Sequence, residues 1–283
     1  SPADVFLVND DPNADFTGIF EAAVTAHNNT FYKWISANDG SNIPVSSLHQ
    51  LDNEVIIWFT GEATVDVLNQ TEQDSLSLFL NNGGKLLLTG KNITESLDAQ
   101  GSVFLQSYLE VNYSGNATGS PLINPVSGNP MSGGLSPFAV VQDSRDAVDP
   151  VSGGNATAAF NYANNDIAGV TVDNPATSSQ IVLMGFGMEK LGSSSINNVM
   201  GAAFNWFDVT TDIQPSDRNN LPGEFTLSQN YPNPFNPTTT IEYQLPEAGI
   251  VQLKIYNVLG QVMRALVSEQ QSAGSYSIQW DGK

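Results

Sequence analysis

Short apolar runs alternate along residues 4–208 with segments whose apolar residues recur at helical spacing, and this alternation constrains the fold more than any other feature. Turn residues follow most of these runs, which is typical of strands buried on both faces of a sheet. Strands that alternate with helices pair in parallel through right-handed crossovers. We therefore predict a three-layer α/β sandwich with a mostly parallel sheet and helices on both faces. The predicted strands are residues 5–8, 31–35, 54–59, 85–89 and 180–186, and the predicted helices are residues 16–24, 71–81, 102–109 and 196–207.

The pattern changes twice along the chain. Between residues 110 and 175 it weakens into stretches rich in Gly, Asn and Pro, which we interpret as insertions or edge strands. Residues 213–223 are polar, contain two prolines and lack any period, as a linker does. We therefore predict that residues 1–212 form the α/β domain and that residues 224–283 form a small all-β sandwich. Its strands are predicted at residues 239–245, 250–256 and 274–280.

The C-terminal region resembles the sorting domain of the type IX secretion system, an immunoglobulin-like sandwich found on secreted proteins of Bacteroidetes and related phyla. The resemblance implies a secreted or cell-surface location and handling by the type IX secretion machinery. Members of that family normally continue for two more strands after the Trp-Asp-Gly turn. We therefore expect the sandwich to lack its last strands, so that it is truncated, cleaved or completed by another chain. The motifs that carry the resemblance are LSQNYPNPFNPTT at 227–239, YQLP at 243–246, IYNVLGQV at 255–262 and WDGK at 280–283.

Residues 4–208 resemble a degenerate class I glutamine-amidotransferase-like domain, a flavodoxin-like fold that follows the catalytic domain in many secreted bacterial peptidases. Active relatives carry a Cys nucleophile on the sharp turn after the strand equivalent to 85–89, and a His-x-Glu pair after the strand equivalent to 180–186. In this chain Lys91 or Asn92 occupies the turn, and Met188 and Glu189 stand where the His is needed. We therefore expect no hydrolase or amidotransferase activity. The motifs are VFLVNDD at 5–11, VIIWFTG at 55–61, FLNNGGKLLLTGKNI at 79–93 and MGFGME at 184–189.

Composition excludes several functions. The formal net charge is −20, with 29 acidic against 9 basic residues, so nucleic acid and anionic membranes would repel the chain. Cysteine is absent, which excludes disulfides, thiolate metal sites and a Cys nucleophile. Since no run of about 18 apolar residues occurs, we expect no membrane span. The two histidines, His27 and His49, are too few for a zinc site built from histidine, and we interpret both as ordinary polar residues.

Acidic residues supply the one candidate ligand site. Asp10, Asp11 and Asp15 follow the first strand, where open α/β sheets bind ligands, and hard carboxylate oxygens favour calcium or magnesium. We predict a metal site there. The alternative is that Asp10 and Asp11 cap the turn and the first helix. A second acidic stretch, Asp143, Asp146 and Asp149, lies in a predicted polar loop without the glycine or terminal Glu of an EF-hand.

Two other patterns are assigned to packing. Gly185-Phe186-Gly187 lacks the third glycine of a dinucleotide fingerprint. Several aromatic residues could form a sugar-binding platform, but most lie in predicted strands, so we predict that they pack in the core. They are Phe31, Tyr32, Trp34, Trp58 and Phe59.

Two hypotheses of function follow. In the first, the chain is the non-catalytic C-terminal portion of a larger secreted protein, in which an accessory α/β domain follows a catalytic domain. The catalytic domain expected first is a peptidase. In the second, it is a structural subunit of an extracellular filament or surface layer, assembled with other copies of itself by strand donation and bridged by calcium. The second accounts better for a sandwich with an open edge.

Overall fold

The computed structural model describes residues 4–35, 55–64, 67–209, 226–227, 230, 238–245, 249–256, 262–271 and 274–282. The chain divides into two compact units, Pro2–Thr211 and Asp212–Lys283. The predicted linker at residues 213–223 and His49 lie outside the described residues.

A parallel core of five strands forms one half of the sheet in the first unit. Within the described residues the strand order of this half is β2-β1-β3-β4-β11, and each neighbouring pair is parallel. All four residues of the predicted first strand are inaccessible or nearly so, which explains the apolar run. The predictions for this half are confirmed. Its strands are β1 (Val5–Asn9), β2 (Phe31–Ile35), β3 (Val55–Phe59), β4 (Lys85–Thr89) and β11 (Ser179–Met184).

The other half of the sheet is antiparallel. It continues from β11 in the order β10-β9-β6-β7, with β8 pairing with β10 and with β5. The edge strands expected after residue 110 therefore form a continuous extension, and the sheet is mixed with a parallel core. The strands are β5 (Val111–Asn116), β6 (Leu122–Pro125), β7 (Phe138–Ala139), β8 (Asp146–Pro150), β9 (Ala156–Tyr162) and β10 (Ile167–Asn174).

Helices cover both faces of this sheet, because alternate residues of the central strands point to opposite sides. One face, with Leu7 and Ile57, packs against α1 and α5, whereas the other, with Val8 and Trp58, packs against the three remaining helices. This three-layer arrangement is the predicted one. The α-helices of the described residues are α1 (Thr17–Ala26), α2 (Gln70–Asn81), α3 (Ile93–Ala99), α4 (Val103–Ser107) and α5 (Ser193–Trp206).

The second unit is a small all-β structure. Its described strands form the antiparallel sheet β12-β13-β16 and the antiparallel pair β14-β15. Its buried apolar residues, among those described, are Ile241, Tyr243, Leu245 and Val267, and the last three form a cluster against which residues of both sheets pack. The three predicted strands are confirmed, and β15 is an addition. The strands are β12 (Thr226–Leu227), β13 (Thr239–Leu245), β14 (Gly249–Tyr256), β15 (Val262–Gln271) and β16 (Gly274–Trp280).

Among the described residues no helix has the length and apolar character that crossing a membrane requires.

Candidate functional site

The parallel strands bring several chain segments to one edge of the sheet. Residues 10–11 follow β1, residues 60–62 follow β3, residues 90–92 follow β4 and residues 185–190 follow β11. This edge is where open α/β sheets bind ligands. We call the charged side chains here the crevice cluster: Asp10, Asp11, Glu62, Lys91, Glu189 and Lys190.

The turn between β4 and α3 has the backbone form of a nucleophile elbow, but the residue on it is Asn92 and not a nucleophile. Asn92 has left-handed backbone angles, φ 58° and ψ 24°, and is followed at once by the first residue of α3. Of the two residues expected at this turn, Asn92 is thus the one on it, and its amide is no nucleophile. Its Oδ1 is buried and accepts no hydrogen bond from a described residue.

Lys91, beside the elbow, is held in a network of ion pairs. Its Nζ lies 2.7 Å from Asp143 Oδ1 and 3.4 Å from Glu62 Oε2, and its side chain is only 12% exposed. The hydrogen bond with Asp143, with the charges of both carboxylates, raises the pKa of Lys91 above its usual value despite partial burial. Lys91 is therefore a fixed ammonium group, which cannot act as a general base.

Glu62 joins this network to the segment after β11. Its Oε1 lies 2.7 Å from Lys190 Nζ and accepts a 3.3 Å hydrogen bond from Gln142 Nε2. The oxygen of Gln142 accepts a hydrogen bond from the Gly187 N–H. Burial acts to raise the pKa of Glu62, but Lys190 and Gln142 together hold it below its usual value. The carboxylate is consequently ionised and saturated by partners.

Glu189 differs from Glu62 because its carboxyl group has no such partners. It is 7% exposed, and neither side-chain oxygen has a hydrogen-bond partner among the described residues. Burial raises the pKa of Glu189 to about 7, and nearby Glu62 and Asp11 add to the effect. The carboxyl group lies over Gly187, where a Cβ would be 1.9 Å from Glu189 Oε1. Among the described residues no imidazole stands beside it, and Gly187 and the fully buried Met188 occupy the preceding positions in the chain.

The three predicted metal ligands, Asp10, Asp11 and Asp15, do not converge on one site. Burial raises the pKa of Asp10 to about 7, and its Oδ2 accepts a 3.2 Å hydrogen bond from Trp58 Nε1. Asp11 accepts from the backbone N–H groups of Asn13 and Glu62. Asp15 accepts from the N–H of Thr17, the first residue of α1, and the hydroxyl and the N–H of Thr17 together hold the pKa of Asp15 below its usual value.

The bonds of Asp11 and Asp15 are those of turns between residues close in sequence and of one contact with the loop after β3. Asp15, rather than Asp10 or Asp11, accepts from the first residue of α1, whose N-cap residue, Phe16, makes no side-chain cap. Over the described part of the chain, no three His, Asp or Glu side chains gather as a metal site requires. Calcium or magnesium at Asp10, Asp11 and Asp15 therefore stays a prediction without geometric support.

The second acidic stretch is not a polar loop throughout. Asp146 begins β8 and is buried, and its Oδ2 accepts from the N–H and Oγ1 of Thr94 and from the N–H of Glu95. It thus caps α3, whose own N-cap residue makes no side-chain cap. Burial raises the pKa of Asp146 to about 6. Asp143 pairs with Lys91, whereas Asp149 is exposed on β8, so the three serve different purposes.

The remaining candidates are structural. His27 lies just after α1, and its Nε2 donates to the Asn197 carbonyl at 2.7 Å. The glycine of the incomplete fingerprint, Gly185, lets the chain pass Asp146, since a Cβ would lie 2.1 Å from the Asp146 carbonyl oxygen.

The aromatic residues do not form a sugar platform. Trp34, Trp58 and Phe59 are buried and Phe31 is partly buried, as predicted, whereas Tyr32 is 47% exposed on the edge strand β2. One aromatic side chain on the surface of a strand is not a binding platform.

Three members of the site, Glu62, Gln142 and Lys190, are not identified by the sequence analysis. Glu62 lies three residues after β3, and its position just after a buried strand could have identified it from the sequence. Gln142 lies in the segment before β8, far from the parallel strands in sequence, and nothing local marks it.

Comparisons with known proteins address the two units separately. The family described as the secretion system C-terminal sorting domain matches residues 229–281. No curated protein matches the chain in sequence.

Solved structures match the first unit. A GMP synthase subunit of Thermoplasma acidophilum is 13% identical, with a TM-score of 0.50 over 74% of this chain and 98% of its own. A ThuA-like protein of Bacteroides uniformis is 15% identical, with a TM-score of 0.51 over 72% and 90%. A cytoplasmic protein of Salmonella typhimurium is 14% identical, with a TM-score of 0.51 over 71% and 98%.

Identities this low establish the fold alone, which is that of glutamine-amidotransferase-like and ThuA-like α/β domains. The sorting domain establishes secretion to the cell surface or the extracellular space. The chain thus joins an α/β domain of amidotransferase-like fold to a C-terminal region, residues 229–281, that matches the secretion system C-terminal sorting domain.

Proposed function

We propose that this chain is the non-catalytic C-terminal portion of a secreted or cell-surface bacterial protein, in which the α/β domain is accessory to a catalytic domain. The observation that carries the proposal is the state of the elbow. Asn92 occupies it, and the neighbouring Lys91 is tied to Asp143 and Glu62. Nucleophilic catalysis needs a nucleophile within hydrogen-bond reach of an oriented base. Neither is present at this edge of the sheet among the described residues.

The resemblance of residues 4–208 to the domains that follow secreted peptidases supports the choice of a peptidase as the catalytic partner. The ion pairs support an accessory role as well. Glu62 bridges Lys91 and Lys190, so that it connects the segments after β3, β4 and β11. Such a network rigidifies the edge where an enzyme of this fold would hold its substrate.

The proposal is tested by assaying glutamine hydrolysis and peptide hydrolysis by the full chain. We expect rates equal to buffer for the wild type and for Lys91→Ala and Glu189→Gln. Lys33→Ala, which removes an exposed pair with Glu21 outside the crevice, is the matched control. Turnover that persists in the control and disappears in either crevice variant would show that the domain is an enzyme.

Self-assembly is the second candidate function, favoured by the strand edges of the second unit. Among its described strands, β16 pairs only with β13, and β15 pairs only with β14. Tyr256, Val262 and Met263, at one end of the β14-β15 pair, are each more than half exposed. Exposed strand edges with apolar side chains attract further strands.

Sizing the protein by light scattering, with calcium and with chelator, tests this candidate. Assembly by strand addition predicts a multimer whose mass falls in Met263→Lys, because a charge on an edge strand opposes pairing. If calcium bridges copies, chelator lowers the mass as well. A monomer under both conditions eliminates the candidate.

A further inference from the structure

A groove on the first unit lies away from the crevice cluster. It runs between α5 and residues 130–136 and has a volume of about 760 Å³, within the range of small-molecule sites. Small residues of α5, Gly201 and Ala202, line its middle, and larger ones lie one turn away on either side. Gly201 also lets His27 approach the helix, since a Cβ there would lie 2.4 Å from the His27 ring. We call this feature the α5 groove.

The α5 groove carries no formal charge in a chain whose net charge is −20. None of its lining residues is Asp, Glu, Lys or Arg. A charged ligand would find no counter-charge there to offset the loss of its hydration. The lining therefore selects a neutral ligand.

Two amide side chains of the groove are unused within the described structure. The side chains of Asn198 and Asn205 are exposed and make no hydrogen bond to another described residue. Each amide offers N–H donors and an acceptor oxygen. A hydroxyl group can accept from the N–H and donate to the oxygen. The groove can therefore recognise a ligand with many hydroxyl groups.

Trp206 supplies the apolar part of the same surface. Its ring is partly buried and packs against Phe207, with centroids 5.3 Å apart. Its indole N–H has no partner among the described residues. A packed indole loses little freedom on binding, and the exposed part of Trp206 presents apolar ring atoms beside a hydrogen-bond donor. Sugar rings present the complementary pair, a face of C–H groups with a rim of hydroxyls.

We propose that the α5 groove binds a neutral oligosaccharide, with Trp206 stacking on a sugar ring and Asn198 and Asn205 bonding its hydroxyls. The site is separate from the crevice and requires no catalysis, so it gives the accessory domain a binding role that the proposed function does not include. A peptide is a poorer match, because the groove presents no strand edge for its backbone and no charge for its termini.

The test is isothermal titration of the full chain with cellohexaose, laminarihexaose, maltohexaose and mannohexaose, and with trigalacturonate as a charged competitor. At least one neutral hexasaccharide should bind with a Kd of about 1 mM or tighter. Trp206→Ala should weaken that binding at least about tenfold. Tyr32→Ala, which removes an exposed aromatic ring on β2, is the matched control and should leave the Kd within about twofold.

A second variant guards against loss of fold on removing Trp206. Asn198→Ala combined with Asn205→Ala changes exposed side chains only, and should weaken binding about threefold or more. The proposal fails if no neutral hexasaccharide binds at about 10 mM, if trigalacturonate binds more tightly, or if both groove variants keep the wild-type Kd.

Discussion

The crevice cluster and the α5 groove belong to the same α/β unit, yet they are opposites. At the crevice, where this fold can place chemistry, ion pairs join Lys91, Glu62 and Lys190, and glycines are packed against side chains. At the groove, a volume of about 760 Å³ is open, no residue is charged, and the amides lack partners in the described structure. The difference shows that ion pairs and close packing fill the strand-end edge of the sheet, whereas an open and uncharged groove lies elsewhere on the same unit.

The largest expected effect is a loss of stability when a glycine of the crevice is replaced by alanine, compared with the same replacement in the groove. In Gly90→Ala the new Cβ would lie 1.9 Å from Thr60 Oγ1 and 3.1 Å from the Thr60 backbone nitrogen, so two strand ends must move apart. We expect a loss of about 3 kcal/mol in the free energy of unfolding, measured in urea. Gly134→Ala in the groove, where no atom lies within 4 Å, should change it by less than about 0.5 kcal/mol. Equal midpoints would mean that the crevice is not packed as described.

The next largest effect is a difference in stability between replacing the buried Asp146 and replacing the exposed Asp143 near the crevice. Asp146→Ala removes an acceptor from the N–H groups of Thr94 and Glu95 at the start of α3. We expect a loss of about 2 kcal/mol in the free energy of unfolding, since these donors then lack their partner. The matched variant Asp143→Ala, at a side chain 79% exposed, should cost less than about 0.5 kcal/mol. Equal losses would contradict the assignment of Asp146 as the cap of α3.

A third effect depends on pH and concerns Glu189. Its pKa is raised to about 7 in the folded protein, against about 4.3 in an unfolded chain, so folding favours the protonated form. The stabilisation is therefore fully present below about pH 4.3 and is lost as pH rises through 7. Glu189→Gln is neutral at every pH. It should match the wild type at about pH 4.5 and become the more stable of the two proteins as pH rises through about 7.

Urea unfolding at about pH 4.5 and about pH 8.5 measures the Glu189 effect. Asp149→Asn, at an exposed residue of β8, is the control and should give the same small difference at both values. A Glu189→Gln difference that does not grow with pH would show that a partner holds this carboxyl group ionised.

Sequence reasoning located the parallel core well, because strands buried on both faces appear as continuous apolar runs. It did not find β8 (Asp146–Pro150), where a buried Asp and a Pro give a short strand the composition of a loop. It placed the start of α2 at Thr71, whereas Asn69 caps the helix and completes a capping box with Glu72. The predicted start of α2 is therefore off by only one residue from the observed Gln70. The Asn69-x-x-Glu72 spacing of the capping box lies within four residues and is visible in the sequence.

The same limit applies to the site. Lys91 or Asn92 at the elbow, and Glu189 after β11, are identified through the resemblance to amidotransferase-like domains, whose catalytic residues follow the equivalent strands. The partners that decide their chemistry could not be read in this way. Asp143 and Gln142 reach Lys91 and Glu62 from the segment before β8, which joins the sheet through its antiparallel half. Trp206 was absorbed into a helix pattern, since periodicity does not distinguish a core residue from one that lines a groove.

The smallest expected effect tests the groove side of the comparison by stability rather than binding. Asn198→Ala and Asn205→Ala remove exposed amides that make no hydrogen bond to a described residue, and Ala has the higher helix propensity. We expect each variant to change the free energy of unfolding by less than about 0.5 kcal/mol, toward greater stability. A loss above about 1 kcal/mol would mean that the amides hold the fold together. If stability is unchanged while hexasaccharide binding weakens, the amides serve a ligand, whereas the polar side chains of the crevice serve the fold.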